Sequence, residues 1–154
     1  EEEQEEIYYA AQLHDLGKIG ISDQIINKRC QLTLEEFEIM KTHTIIGYDI
    51  LKNRSSKYLK KGSIVALSHH ERYDGLGYPN GLKGNEIPIE GRIVAIADVF
   101  DALLMKRSYK NSWSIEEAID YIKGKSGTQF DPYLVDRYID NIEEIRRISY
   151  EFKD

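Results

Sequence analysis

Four histidines are among the scarcest chemistry-bearing residues of this 154-residue chain, and their neighbours are acids. His14 precedes Asp15, His43 stands apart, His69 and His70 are adjacent, and His70 precedes Glu71. The paired histidines open the stretch "SHHERYDGLGYPNGLKGNEIP", Ser68 to Pro88, which also holds four of the eleven glycines. Imidazole nitrogen beside carboxylate oxygen, with no thiolate, suits iron, manganese or zinc better than a soft metal. Neighbouring helical residues point about 100° apart, so an adjacent pair does not readily chelate one ion from one face. Such pairs suit a wider target, for instance two ions bridged by a carboxylate. Taken singly, each histidine has an ordinary alternative, such as a favourable charge near a helix C-terminus.

Two acids sharpen the question. Asp15 falls in the last turn of a helical pattern, where a negative charge is unfavourable by roughly 0.3–1 kcal/mol. Asp98 lies among apolar residues on both sides, where an unpaired carboxylate is costly. A nearby cation resolves both. A buried arginine or lysine would serve as well as a metal.

The elements that must position these groups are helical. Ile7, Ala10, Ala11 and His14 share a face of a helix ending near Gly17, which suits a left-handed cap. Thr33 and Glu36 form a capping box, and the helical pattern then runs to about Asn53 with room for a break. Ile64 to His70 belongs to a third helix, and the apolar run Ile93 to Leu104 makes a fourth. Ser114 and Glu117 cap a short helix to about Gly124, and Asp131-Pro132 starts the last one. Strand signals are nearly absent. The reading is an all-α bundle with one long glycine-rich loop, Arg72 to Glu90. A loop of that length in a small helical domain is usually functional or mobile. Asp74-Gly75 and Asn80-Gly81 are turn dipeptides within it.

Composition sets the limits. The chain is 41% hydrophobic and 31% charged, with mean hydropathy -0.52. Its length fits one domain burying roughly 70% of its unfolded surface. The apolar run is interrupted by Asp98 and Asp101, and falls short of the roughly 20 residues of a membrane span. A single cysteine, Cys30, excludes an internal disulfide and suits a reducing, cytoplasmic setting. The net charge of -6 argues against polymeric nucleic acid and anionic lipid, but leaves a small anionic ligand open. The opening "EEEQEE", without methionine, reads as the start of an excised piece of a longer protein.

Four ordered blocks carry a resemblance: "HDLGK" (His14 to Lys18), "HTIIG" (His43 to Gly47), "HHERYDGLGYP" (His69 to Pro79) and "RIVAIADVFDAL" (Arg92 to Leu103). With "GTQFDP" (Gly127 to Pro132), they resemble the HD-GYP domain, a branch of the HD superfamily of metal-dependent phosphohydrolases. The resemblance spans nearly the whole chain, 1–154. It implies an HD-domain helical bundle that hydrolyses cyclic di-GMP to linear pGpG, and onward to GMP in some members. It also implies two or three divalent metal ions, iron or manganese first and zinc or nickel next. His14, Asp15, His43, His69, His70 and Asp98 match metal ligands, with Asp15 the bridging carboxylate. Lys18 matches a lysine near the scissile phosphate, so Asp15 and Lys18 are the implied catalytic pair. Gly77, Tyr78 and Pro79 form the GYP loop, with Tyr78 a candidate to contact a guanine. Arg107 and Lys110 match phosphate contacts, and Asp101 an acid beside the site. An upstream regulatory domain is implied as a partner, and a homodimer is an open option.

Departures from the family pattern are also legible. The family supplies a histidine, and in trinuclear members a glutamate, from a helix ahead of the first block; nothing here matches them. One ion would then keep Asp15, His43, His69 and His70, the other His14, Asp15 and Asp98. Ser22, Thr44 and Ser108 stand where prolines are usual, and Arg29-Cys30 where Pro-Gly is common. Two functional classes follow: a cyclic di-GMP phosphodiesterase, or a non-catalytic sensor or protein-interaction module on the same fold. A phosphohydrolase for another nucleotide is a third reading, against which the GYP block speaks.

Overall fold

The helices start where the sequence supplies caps. The structure is a computed structural model describing residues 2–105 and 113–151. In it, Thr33 Oγ1 accepts from the Glu36 amide while the Glu36 carboxylate accepts from the Thr33 amide, opening α3, Leu34–Lys41. Ser114 and Glu117 repeat the arrangement at α7, Ile115–Gly124. Asp131 accepts from the Tyr133 amide at 2.9 Å ahead of α8, Pro132–Asp140. Ser22, in a proline's usual place, caps the short α2, Asp23–Ile26, by accepting from Gln24. The other helices are α1, Glu2–Ala11; α4, His43–Leu51; α5, Lys57–Ser68; α6, Ile89–Leu104; and α9, Ile142–Glu151. Among the described residues no strand forms, and the all-α expectation holds. No helix among them is long and apolar enough to cross a membrane.

Three boundaries differ from the sequence reading. The first helix ends at Ala11 rather than near Gly17. The Leu13, His14 and Leu16 amides each reach back three residues, winding the chain tightly into a 3-10 segment at Leu16–Gly20. Asp15 therefore leads into this tight turn and does not lie in the last turn of an α-helix. The last helix breaks at Asn141, whose side-chain amide donates to the Arg137 carbonyl at 2.8 Å and competes with the backbone. The long loop closes at Pro88, after a 3-10 turn at Gly84–Glu86.

Gly17 is required for close approach and not as a left-handed cap. A Cβ added there would stand 1.9 Å from the His43 carbonyl oxygen and 2.5 Å from the Gly47 nitrogen. The 3-10 segment thus lies with its backbone against α4. Likewise, a Cβ at Gly91 would meet Ser68 Oγ at 2.2 Å, so α6 crosses α5 at backbone distance. α5 packs against α1, α4 and α6, with Ala10, Val65 and Val94 buried between them. Lys61 ties the same three helices, 3.3 Å from Glu6 of α1 and 3.1 Å from Glu90 of α6.

α6 is shared with a second core. Ile96 and Phe100 on α6 pack with Ile115, Ala118, Ile119 and Ile122 of α7, and with Phe130 and Val135. The buried Asp131 carboxylate takes Arg92 of α6 at 2.6 Å, fixing the start of α8 to this helix. Adding a methyl at Gly17 overpacks a backbone contact. Gly17→Ala is expected to lose about 3 kcal/mol in urea unfolding. Gly124→Ala, where nothing lies within 4 Å of an added Cβ, is expected to be neutral or to gain up to about 0.8 kcal/mol.

Candidate metal centre

Each element delivers one part of the site. The turn between α1 and the 3-10 segment brings His14 and Asp15, the segment itself Lys18, α4 begins with His43, α5 runs into His69 and His70, and α6 carries Asp98. Three imidazoles are aimed by their own stretch of chain. His14 Nδ1 faces the Ala11 carbonyl at 2.7 Å, and His43 Nδ1 the Met40 carbonyl at 2.6 Å. His69 Nδ1 lies 3.0 and 3.1 Å from the Val65 and Ala66 carbonyls. A carbonyl only accepts, so in each ring Nδ1 holds a proton, and in neutral His43 and His69 the Nε2 lone pair points the other way.

Those lone pairs converge on Asp15. His43 Nε2 lies 3.4 Å and His69 Nε2 3.9 Å from Asp15 Oδ1. The two Nε2 atoms are only 3.5 Å apart. With a ring nitrogen of His70 included, the ligand atoms of these four residues all fall within 4.8 Å of one another. Asp15 Oδ1 is buried and has no hydrogen-bond partner. Asp15 Oδ2 turns to a second group, 3.3 Å from His14 Nε2, which is in turn 3.6 Å from Asp98 Oδ1. Lys18 Nζ pairs with the same Oδ2.

An orphaned carboxylate oxygen facing neutral nitrogen lone pairs is repulsive unless a cation joins them. Protons are disfavoured in that role. Burial pushes His43 down, His69 down to about 4 and His70 down to about 2, the last two with help from the neighbouring imidazoles. His14 goes the other way, raised by its bond to Asp15. Burial works to raise Asp15, but hydrogen bonds from His14 and Lys18 outweigh it and hold the carboxyl well below its usual range. Burial raises Asp98, with His14 opposing and Asp15 adding to the rise. The donor set therefore fits divalent cations: four groups on the Oδ1 side and three on the Oδ2 side of one carboxylate.

Beside this cluster lies a cleft of about 700 Å³ whose lining includes Asp15, Lys18, His43, His70, Tyr78 and Asp98. The size is that of a small-molecule site. The Tyr78 ring stacks on His70, with centroids 4.8 Å apart and planes 29° from parallel. Phe37 meets Tyr78 edge-on at 6.1 Å, and Lys41 Nζ sits 5.6 and 5.7 Å from the two ring centres.

The expected substrate-side residues are distributed unevenly. Tyr78 reaches the cleft, joined to Pro79 by a cis peptide. Gly77 faces the chain instead: an added Cβ would lie 2.3 Å from the Arg72 nitrogen. Gly75, Gly81 and Gly84 have φ of 84°, 66° and 59°. The loop glycines thus answer needs of the backbone. Asp101 is exposed on α6, one turn beyond Asp98. Arg107 and Lys110, like Ser108, lie outside the described residues. Thr44, in a second proline's usual place, is buried and donates to the Lys41 carbonyl at 2.9 Å. Sequence reasoning missed the cleft's far wall, built by Ile25, Lys28, Leu32, Phe37 and Met40. Only the break between α3 and α4 hinted that this segment folds back over the site.

The depressed histidines set a pH dependence for the chelator-treated protein. Below about pH 6.5 the unfolded chain binds protons that folded His43, His69 and His70 refuse. Stability is therefore expected to fall with pH, by about 1 kcal/mol per unit for each of His69 and His70 between roughly pH 6 and 5, with His43 adding in the same direction. The raised His14 acts in the opposite sense, but above about pH 6.5, and leaves the slope between pH 6 and 5 almost unchanged. Urea melts at pH 6 and pH 5 measure the slope, and His70→Gln is expected to make it shallower.

The HD domain family matches residues 1–134 of the chain. The chain is 46% identical over 152 residues to the cyclic di-GMP phosphodiesterase response regulator RpfG of Xanthomonas campestris, covering 99% of this chain and 40% of that protein. It is 51% identical over 149 residues to a cyclic di-GMP phosphodiesterase of Thermotoga maritima, covering 97% and 40%. A 3'3'-cGAMP-specific phosphodiesterase 2 of Vibrio cholerae is 41% identical over 154 residues, covering 100% and 30%. The chain thus spans two fifths or less of the length of these relatives. Among solved structures it resembles the V. cholerae cyclic GMP-AMP-specific phosphodiesterase V-cGAP3, with TM-score 0.65 and 25% identity over 94% of this chain and 39% of that one. With its histidines, its carboxylates and its GYP loop gathered around one cleft, the chain belongs to the HD domain family, in its HD-GYP branch.

Proposed function

We propose that this domain is a metal-dependent phosphodiesterase that opens cyclic di-GMP to linear pGpG, with GMP as a further product. The observation that carries the reading is the Asp15 carboxylate, whose two oxygens face separate groups of nitrogen and oxygen donors. His43, His69, His70 and Asp15 would hold one ion, and His14, Asp98 and Asp15 would hold another. Iron or manganese suits the donor set best, and zinc or nickel would also bind it. Divalent ions at such sites activate a water and offset phosphate charge.

The chain's own residues do the rest. Three of the four imidazoles are oriented in advance by carbonyls, so little reorganisation accompanies binding. Lys18, 40% exposed at the edge of the cleft, offers a cation to the scissile phosphate, and Arg107 and Lys110 offer two more. Tyr78 and Phe37 give flat faces to a base. In this reading Asp101, one turn beyond Asp98, belongs with the substrate-side residues. In the longer protein an upstream regulatory domain and a homodimer belong to the same proposal. The names of the relatives at 46% and 51% identity support cyclic di-GMP over the mixed dinucleotide.

An anaerobic assay with Fe²⁺ or Mn²⁺, following cyclic di-GMP and 3'3'-cGAMP by chromatography, tests the reading. Appearance of pGpG is expected. Asp15→Asn and His43→Ala are expected to lower kcat by at least about 100-fold with the fold retained by circular dichroism. Binding without turnover in any metal would instead favour a nucleotide sensor.

A further inference from the structure

Two consecutive residues hold the middle of the GYP loop, from Tyr78 to Leu82. The His70 carbonyl accepts from the Tyr78 amide at 3.2 Å. Glu71 Oε1 accepts from the Asn80 amide at 2.8 Å, and Oε2 from the Leu82 amide at 3.0 Å. Glu71 is only 3% exposed, and among the described residues it makes no ion pair. Its carboxylate is thus a double acceptor for two loop amides, the role in which a buried acid is best matched. Gly81, at φ 66°, turns the chain between the two anchors. Gly77 lets the returning strand of the loop lie on the Glu71–Arg72 backbone.

We propose that Glu71 is the positioning residue that sets Tyr78 over His70, and through it the wall of the cleft that receives a base. The proposal rests on the phosphodiesterase reading for its substrate and on geometry for its mechanism. His70 and Glu71 leave the end of α5 in opposite directions, one to the donor cluster and one to the loop. The stacked Tyr78 ring closes the circuit back onto His70. Only an acid of glutamate length serves both amides. Glutamine would turn an N–H toward one of them, and aspartate is one methylene too short to hold both.

The test uses Glu71→Gln with Tyr78→Ala and the double variant, all manganese-loaded for kinetics. For Glu71→Gln, metal content is expected to be unchanged, with kcat within about 2-fold and KM for cyclic di-GMP raised about 10-fold. In the Tyr78→Ala background, Glu71→Gln is expected to change KM by less than about 2-fold, because both act through one ring. An equal effect in both backgrounds, or an unchanged KM, overturns the proposal. If Glu71→Gln does not fold, Glu71→Asp takes its place in the same cycle, with a KM rise of about 3-fold. Proton NMR of the zinc-loaded protein separates this inference from the functional reading. Tyr78 shifts the His70 imidazole protons by its ring current, and that shift is expected to vanish in Glu71→Gln as it does in Tyr78→Ala. Persistence of the shift sinks the positioning role, whichever dinucleotide is hydrolysed.

Discussion

The backbone contact between the 3-10 segment and α4 is what everything else in the site depends on. Gly17 lies so close to the His43 carbonyl and the Gly47 nitrogen that no side chain fits between them. That contact carries Asp15 into the space among the imidazoles, where its Oδ1 is buried without a hydrogen-bond partner. A carboxylate held so deeply is tolerable because the opposing groups can bind a cation with it. The helices could be packed in many ways that bury Ala10, Val65 and Val94. Few of those would also bring His43 and His69 to 3.5 Å.

The site and the fold share residues on α6. Val94 belongs to the core under α1 and α5, Asp98 faces His14, and Ile96 and Phe100 belong to the core with α7 and α8. Arg92 on the same helix holds Asp131 and also Asn85 of the loop at 2.9 Å. The GYP loop is therefore fastened at its start to α5 through Glu71 and near its end to α6 through Arg92. A long loop with a single 3-10 turn becomes a fixed wall by these bonds together with its buried Ile87.

Much of this was legible in the sequence, for reasons that are local. Capping boxes at Thr33 and Ser114 and the Asp131-Pro132 start depend on residues three or fewer apart, and they formed as read. The six expected ligands were legible only through the resemblance, and the structure brings their side chains near one another. What sequence could not supply were contacts between distant segments. Gly17 looked like a helix cap because its true neighbour, α4, is remote along the chain. Glu71 looked like one more acid beside a histidine, since its partners are the amides of Asn80 and Leu82 and carry no side-chain signature. The far wall of the cleft was invisible for the same reason.

Three histidines take their orientation from carbonyls three or four residues earlier: Ala11 for His14, Met40 for His43, and Val65 and Ala66 for His69. Each donor therefore travels with its own aiming device as a small cassette of chain. Insertions or deletions between cassettes, as at residues 27–33 or 52–56, would leave these three imidazoles pointed as before. Lineages of such a domain are free to remodel the rim of the cleft, and with it the choice of ligand, while the donors at its floor inherit their geometry intact.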